Sequence, residues 1–267
     1  MISKVKRKMQ GNIISKLMKA ALGEQIAYRL DLSLDLLLVL LINGLRIAVV
    51  EAIMIHTSLL ATWSKKEIEI LYLIALVMSL FVDSFLKSVQ HFIHEYHRGI
   101  ITPQLLRPYS MTKLILLRWM KPAHALTALI LMIPVFYYGI GGVTNISIDW
   151  MSLFWGIFSF VLGVITIVLF SVSLHLISVF AVRELPMDYI FFHLYRFSYW
   201  PIDIFPKAFQ FFSIVMPVLV CSSVASAFLS KGSSPYLYLL VLSSIFSFVV
   251  FKIMTIKIRG RLSLIGG

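Results

Sequence analysis

Charge is scarce in this chain. Only 13% of its 267 residues are Asp, Glu, Lys or Arg, against about 25% in a soluble domain. Hydrophobic residues reach 60% and the mean hydropathy is +0.92, so there are too few polar side chains to cover a globule of this size in water. The one cysteine, Cys221, excludes an internal disulfide. No G-x-x-x-x-G-K-[ST] stretch occurs, so the chain has no P-loop for a nucleotide, and any ATP-driven work needs a motor on another polypeptide. A G-x-S-x-G nucleophile elbow is also missing. The basic start, MISKVKRKMQGNIISKLMKA, has no apolar core followed by small residues, and is not expected to be a removable signal peptide.

What the chain does have is long apolar runs. Windows of about 20 residues nearly free of charge are long enough to cross a hydrocarbon core of about 30 Å as helices. They predict an all-α polytopic membrane protein with six spans, at about 33–61, 68–91, 112–139, 151–180, 206–229 and 235–256. Residues 10–30 place Ile13, Ile14, Leu17, Ala21 and Leu22 largely on one face, the pattern of an amphipathic helix on a membrane surface. Segment 181–205 carries Arg183, Glu184, Asp188, Arg196 and Asp203 with Pro186 and Pro201. It reads as a headgroup-level connector rather than a lipid-facing span. With this layout, nineteen of the 24 Lys and Arg residues fall on the side of the N-terminus, and only Lys65, Lys66 and Lys231 on the other. The positive-inside rule then puts both termini in the cytoplasm and accounts for most of the +12 net charge without nucleic acid. The expected organisation is one membrane domain over 1–267. It comprises a basic segment at 1–32, a six-helix body at 33–256 and a tail at 257–267.

Two groups of residues stand out against this background. Arg46 and Glu51 in the first span, and Asp83 and Lys87 in the second, each cost about 2.5–3.5 kcal/mol at mid-membrane unless paired or hydrated. Asp83 and Lys87 are four apart and can pair on one helix. Two readings stay open for all four: a polar translocation path or subunit seam, or structural pairing inside the bundle. The second group is HFIHEYHRGIITPQLLRPYS at 91–110. A zinc-protease helix needs His-Glu-x-x-His, whereas His94-Glu95-Tyr96-His97 spaces its histidines by three. No catalytic residue or metal ligand is assigned, and Arg98-Gly99 reads as a helix stop. After it, Thr102 and Pro103 suit the start of a short helix that Pro108 ends, with Ser110 capping the third span. Such a short helix braced between two spans is a lever suited to a push from a soluble partner.

Residues 98–108, RGIITPQLLRP, resemble the cytoplasmic signature R-G-x-L-D-x-x-L-L-R-P of a permease family of ABC-2-type exporters. Arg98, Gly99, Leu105, Leu106, Arg107 and Pro108 match, and Thr102 stands where Asp is expected. FSYWPIDIFP at 197–206 is similar to a second family motif, F-S-R-Y-P-x-x-I-Y-P, through Phe197, Ser198, Pro201, Ile204 and Pro206. The resemblance implies a permease subunit of an ATP-binding cassette exporter in the bacterial cytoplasmic membrane. It would pair with a second permease, identical or paralogous, and sit on two cytoplasmic ATPase subunits. ATP and Mg would bind those ATPases, with no cofactor in this chain. Residues 92–110 become the ATPase-coupling region. The rival readings are an ATP-independent channel or scaffold, and an intramembrane enzyme using His94, Glu95 and His97.

Overall fold

A computed structural model describes residues 15, 19–23, 25–56, 59–60, 63–100, 111–141, 150–181, 185–229 and 236–265. Nearly every regular element is helical. This is expected where the backbone has little water to bond to and must satisfy its own N–H and C=O groups. Helix α1 spans Arg29–His56. A two-residue antiparallel pairing of β1 (Leu59–Leu60) with β2 (Trp63–Ser64) turns the chain into α2, Lys65–His97. Then follow α3 (Met111–Leu117), α4 (Pro122–Gly141) and α5 (Trp150–Leu176), the last extended by a 3-10 turn at Ile177–Phe180. Helix α6 (Met187–Tyr195) runs into 3-10 turns at Arg196–Tyr199 and Ile202–Ile204. Helices α7 (Lys207–Phe212), α8 (Val220–Leu229) and α9 (Leu237–Ile265) complete the chain.

Helix α2 is the axis of the bundle. At about 1.5 Å per residue its 33 residues reach roughly 50 Å. Leu71, Ile74, Ala75, Val77 and Met78 on it are fully enclosed by α4, α5 and α8. Helix α9 packs mainly on α5 and leaves Ile245, Phe248, Val249 and Ile253 exposed, an apolar face that suits lipid. Both ends of α2 are closed by local chemistry. At its start the Glu67 carboxylate accepts the Ser64 N–H at 2.7 Å, one half of a capping box. At its end Gly99 takes a φ of +71°. The Ile100 N–H donates to the Glu95 carbonyl at 3.0 Å and the Gly99 N–H to the Tyr96 carbonyl at 3.1 Å, which is a Schellman stop. The helix stop expected at Arg98-Gly99 is therefore present. Gly99→Ala forces a side chain into the left-handed region and is expected to cost about 1 kcal/mol. Hydrogen exchange should show it as faster exchange confined to the last turn of α2.

Among the described residues, three helices are both apolar and long enough to cross a membrane: Lys65–His97, Phe154–Phe180 and Leu237–Gly260. Two expected spans are broken. The third, read as continuous over 112–139, divides at 118–121 into α3 and α4, because Pro122 opens a new helix and cannot extend the old one. The freed backbone groups are taken up by α2. Lys121 N–H donates to the Ser84 carbonyl at 2.8 Å, Ser84 Oγ donates to the Lys121 carbonyl at 2.9 Å, and Trp119 N–H donates to Ser88 Oγ at 3.1 Å.

The fifth span also differs from expectation. Residues 206–229 form a six-residue helix, a turn and a ten-residue helix, none long enough to cross. Instead, the polar segment 187–204, expected as a connector, runs antiparallel along nearly the whole of α2. Asp188 meets Gln90, the Tyr195 hydroxyl donates to the Ala75 carbonyl at 3.0 Å, Tyr199 packs on Tyr72, and Asp203 accepts from Trp63. Its breaks are tolerated because buried serines replace lost backbone bonds: Ser222 Oγ accepts the Ile202 N–H at 2.7 Å, and Ser198 Oγ donates to the Val218 carbonyl. Arg196 and Lys207 were counted from sequence on the side of the N-terminus. Arg196 instead lies partway along α2, and Lys207 follows Asp203 at the Trp63 end.

Before α1, residues 19–23 and 25–27 are helical. Ala21 is buried there while Leu22 and Ile26 are exposed. Gln25 Oε1 accepts the Ala123 N–H at 3.0 Å, which joins this segment to the start of α4. The remainder of the expected amphipathic helix lies outside the described residues.

Candidate functional site

Four elements meet around a cavity of about 200 Å³. Helix α1 contributes Asp35, Val39 and Ile42, and α2 contributes Ser79, Asp83 and Lys87. Helix α4 adds His124, and the 187–204 segment adds Phe192, Tyr195, Arg196 and Tyr199. Spacings of four and three on α1 and of four on α2 put these residues on one face of each helix. Ser79 to Lys87 lie 14 to 22 residues beyond Lys65, roughly 20–35 Å along the axis. The cavity therefore lies alongside the middle of α2 and extends from there toward its His97 end.

The charges here are unevenly satisfied. Asp35 forms an ion pair with Lys121, whose backbone is held on Ser84, and lies 3.5 Å from His124 Nε2. His124 is 1% exposed and its Nδ1 has no hydrogen-bond partner. Asp83 and Lys87 share the cavity wall, yet no direct ion pair joins them. The i,i+4 spacing allows such a pair, but both side chains line the cavity without one. Arg196 is exposed at the same wall.

Next to the cavity a second network ties the end of α5 to α2. His175 Nε2 lies 2.7 Å from Asp188 Oδ1 and its Nδ1 lies 2.7 Å from the Ser171 carbonyl. Gln90 donates to the same Asp188 oxygen. His97 Nε2 lies 3.1 Å from the Ser178 carbonyl, and the His91 ring stacks on Trp119 with centroids 6.1 Å apart. His91 and His97 thus face different neighbours. Among the described residues, no group of three or more His, Cys, Asp or Glu side chains is arranged to hold a metal.

At the opposite end of α2, Asp203 joins three parts of the chain. Its carboxylate accepts the Trp63 indole N–H at 2.9 Å and the Tyr236 hydroxyl. Loss of solvent, then the adjacent Asp203 carboxylate, push the Tyr236 hydroxyl up to about 12. The 197–206 motif builds this region. Phe197 packs with Phe205 and Phe209, whose rings lie 4.8 Å apart. Pro201 precedes the 3-10 turn at Ile202–Ile204, and Pro206 precedes α7. Gln210 Nε2 donates to the Ile202 and Phe205 carbonyls at 3.1 and 2.9 Å.

Asp83 and Lys87 line the cavity, whereas Glu51 lies 3.8 Å from Lys65 at the far end of α2. That pair is half exposed and is worth no more than about 1 kcal/mol. Arg46 belongs to α1, with its side chain outside the described residues. Of the expected coupling residues, Arg98 and Gly99 form the end of α2, while Leu105, Leu106, Arg107 and Pro108 lie outside the described residues, with Thr102, Pro103 and Ser110. Sequence reasoning passed over Asp35, Lys121, His124 and Arg196 as cavity residues. The signal was present in the spacing of Asp35, Val39 and Ile42, but nothing in one chain says which helix that face meets.

Membrane-length apolar helices, breaks sealed by buried serines and a charged cavity between helices define an integral membrane protein of transporter type. The chain belongs to the ABC-2 family: residues 40–259 match the family described as "ABC-2 family transporter protein". Members of this family are membrane subunits without an ATPase domain of their own. No curated protein and no solved structure matches the chain at a significant level.

Proposed function

We propose that this chain is the permease subunit of an ATP-binding cassette exporter. It would work with a second permease subunit and two cytoplasmic ATPase subunits, with both termini and the His97 end of α2 in the cytoplasm. The observation that carries this reading is the anchoring of both ends of segment 98–110. One end leaves the Schellman stop at Gly99. The other returns through α3 to the break at 118–121, clamped on Ser84 and Ser88. A displacement of residues 98–108 would reach the part of α2 that carries Asp83 and Lys87 through this clamp. Moving the ATPase subunits together would pull on this clamp and change the cavity, with Leu105, Leu106 and Arg107 forming the docking surface. The strong excess of Lys and Arg toward the His97 end survives the reassignment of Arg196 and Lys207, and supports the orientation.

Co-purification tests the reading. A P-loop ATPase should be recovered with the wild-type chain from its own membranes. The double change Leu105→Asp and Arg107→Glu should reduce that recovery at least about tenfold, since it places two negative charges in a contact surface. Equal recovery with the variant would remove the coupling assignment. Reproducible absence of any ATPase with the wild type would leave a channel or scaffold.

A further inference from the structure

Asp83, half-buried, and Lys87 and Arg196, both exposed at the mouth, converge on the cavity from two elements, and among the described residues none of the three has a direct ion pair or hydrogen bond. Charged groups set in a largely apolar bundle stay there only when hydrated or matched by a ligand. A purely anionic ligand would meet Lys87 and Arg196 but also face Asp83. A purely cationic one would meet Asp83 and face two like charges. A group carrying both signs satisfies all three. Phe192 and Tyr199 wall the same space, and aromatic faces attract an ammonium group.

Size and surroundings narrow the ligand further. About 200 Å³ falls below the roughly 300–1,000 Å³ of pockets that enclose drug-sized molecules, so a head group enters and the rest stays outside. Ile42 in the lining belongs to a helix whose Leu38, Leu41 and Leu45 are exposed. An alkyl chain leaving the cavity would lie on that apolar surface.

We propose that this cavity binds the head group of a membrane amphiphile bearing an anionic phosphate and an ammonium group. Lys87 and Arg196 take the phosphate, Asp83 takes the ammonium, and the alkyl chains lie along α1. That this ligand is the cargo rests on the permease reading; its binding does not.

Binding is measured on the purified full-length chain in detergent, without ATPase or nucleotide. The probes are short-chain phosphatidylethanolamine and short-chain phosphatidylglycerol, which has the phosphate but no amine. Wild type should prefer the ethanolamine lipid by about tenfold, the scale of one charge-assisted contact. Asp83→Asn should erase that preference while keeping phosphatidylglycerol binding. Arg196→Gln and Lys87→Gln should each weaken both lipids by about tenfold. Equal binding of the two lipids by wild type, or a preference that persists in Asp83→Asn, overturns the proposal. If Asp83→Asn does not elute as a folded species, the wild-type comparison decides alone. Free phosphoethanolamine that binds as tightly as the lipid would also overturn it, because the alkyl chains would then contribute nothing. A negative result here leaves the ATPase recovery unaffected, so the two readings fail separately.

Discussion

Gly163→Leu should strongly destabilise this chain. Gly163 lies where α5 crosses α8 and α2, and a Cβ there would stand 2.7 Å from Val224 Cγ2, 3.0 Å from Met78 Cε and 3.1 Å from Val220 Cγ1. Val220, Val224 and Met78 are themselves buried, at 3% exposure or less, so none of them has space to withdraw into. Overpacking of this kind costs about 1–3 kcal/mol and sometimes more. At a three-helix crossing near the bundle axis the upper end applies. Thermal unfolding followed by gel filtration in detergent should show a fall of several degrees or an aggregated peak. Gly44→Leu on α1 is the control, since nothing lies within 4 Å of a Cβ there. Equal losses from both changes would mean that the crossing is not close.

The second large effect is expected at Asp203. Its carboxylate is the shared acceptor for Trp63, before α2, and Tyr236, before α9. Asp203→Ala leaves both donors unmatched and should cost about 2–4 kcal/mol, as hydrogen bonds to a charged group are worth roughly 1.5–3 each. Asp203→Asn keeps an acceptor oxygen and should cost less. The same contact predicts alkaline sensitivity. Tyr236 ionises at about 12 in the folded protein against 10.0 as the reference value. The folded state thus holds this proton more tightly than the unfolded one. The resulting stability is complete below pH 10 and is lost as the pH rises through 12. Unfolding curves of wild type and Tyr236→Phe should therefore converge between pH 10 and 12. Curves that stay parallel over that interval would show that the hydroxyl does not stabilise the fold through Asp203.

The cavity shows how much of a site can be read from one chain. Asp83 and Lys87 were conspicuous because charge is rare in an apolar run, and both line the cavity. The i,i+4 spacing allowed them to pair, but the spacing alone does not say whether they do. Asp35 drew no attention since it sits near the start of a span, where charge is ordinary. Its importance comes from Lys121 and His124, 86 and 89 residues further on. Similarly, His175 stands in an apolar run, and its partner Asp188 lies beyond a helix end in the polar connector segment.

Composition and local pattern were sufficient for properties that depend on few neighbours. These include a membrane protein from hydropathy, a helix stop at Arg98-Gly99 from the need for a left-handed residue, and a strong charge bias from counting. Family membership followed from short motifs whose spacing survives without any knowledge of packing. The tertiary structure alone decided that 187–204, not 206–229, accompanies α2 from end to end. Averaged hydropathy penalises every serine, aspartate and proline alike, whereas in the bundle Ser198, Ser222 and Asp203 are satisfied by groups up to 140 residues away. Whether a polar residue excludes a segment from the bundle depends on its partner, and only the folded chain supplies that partner.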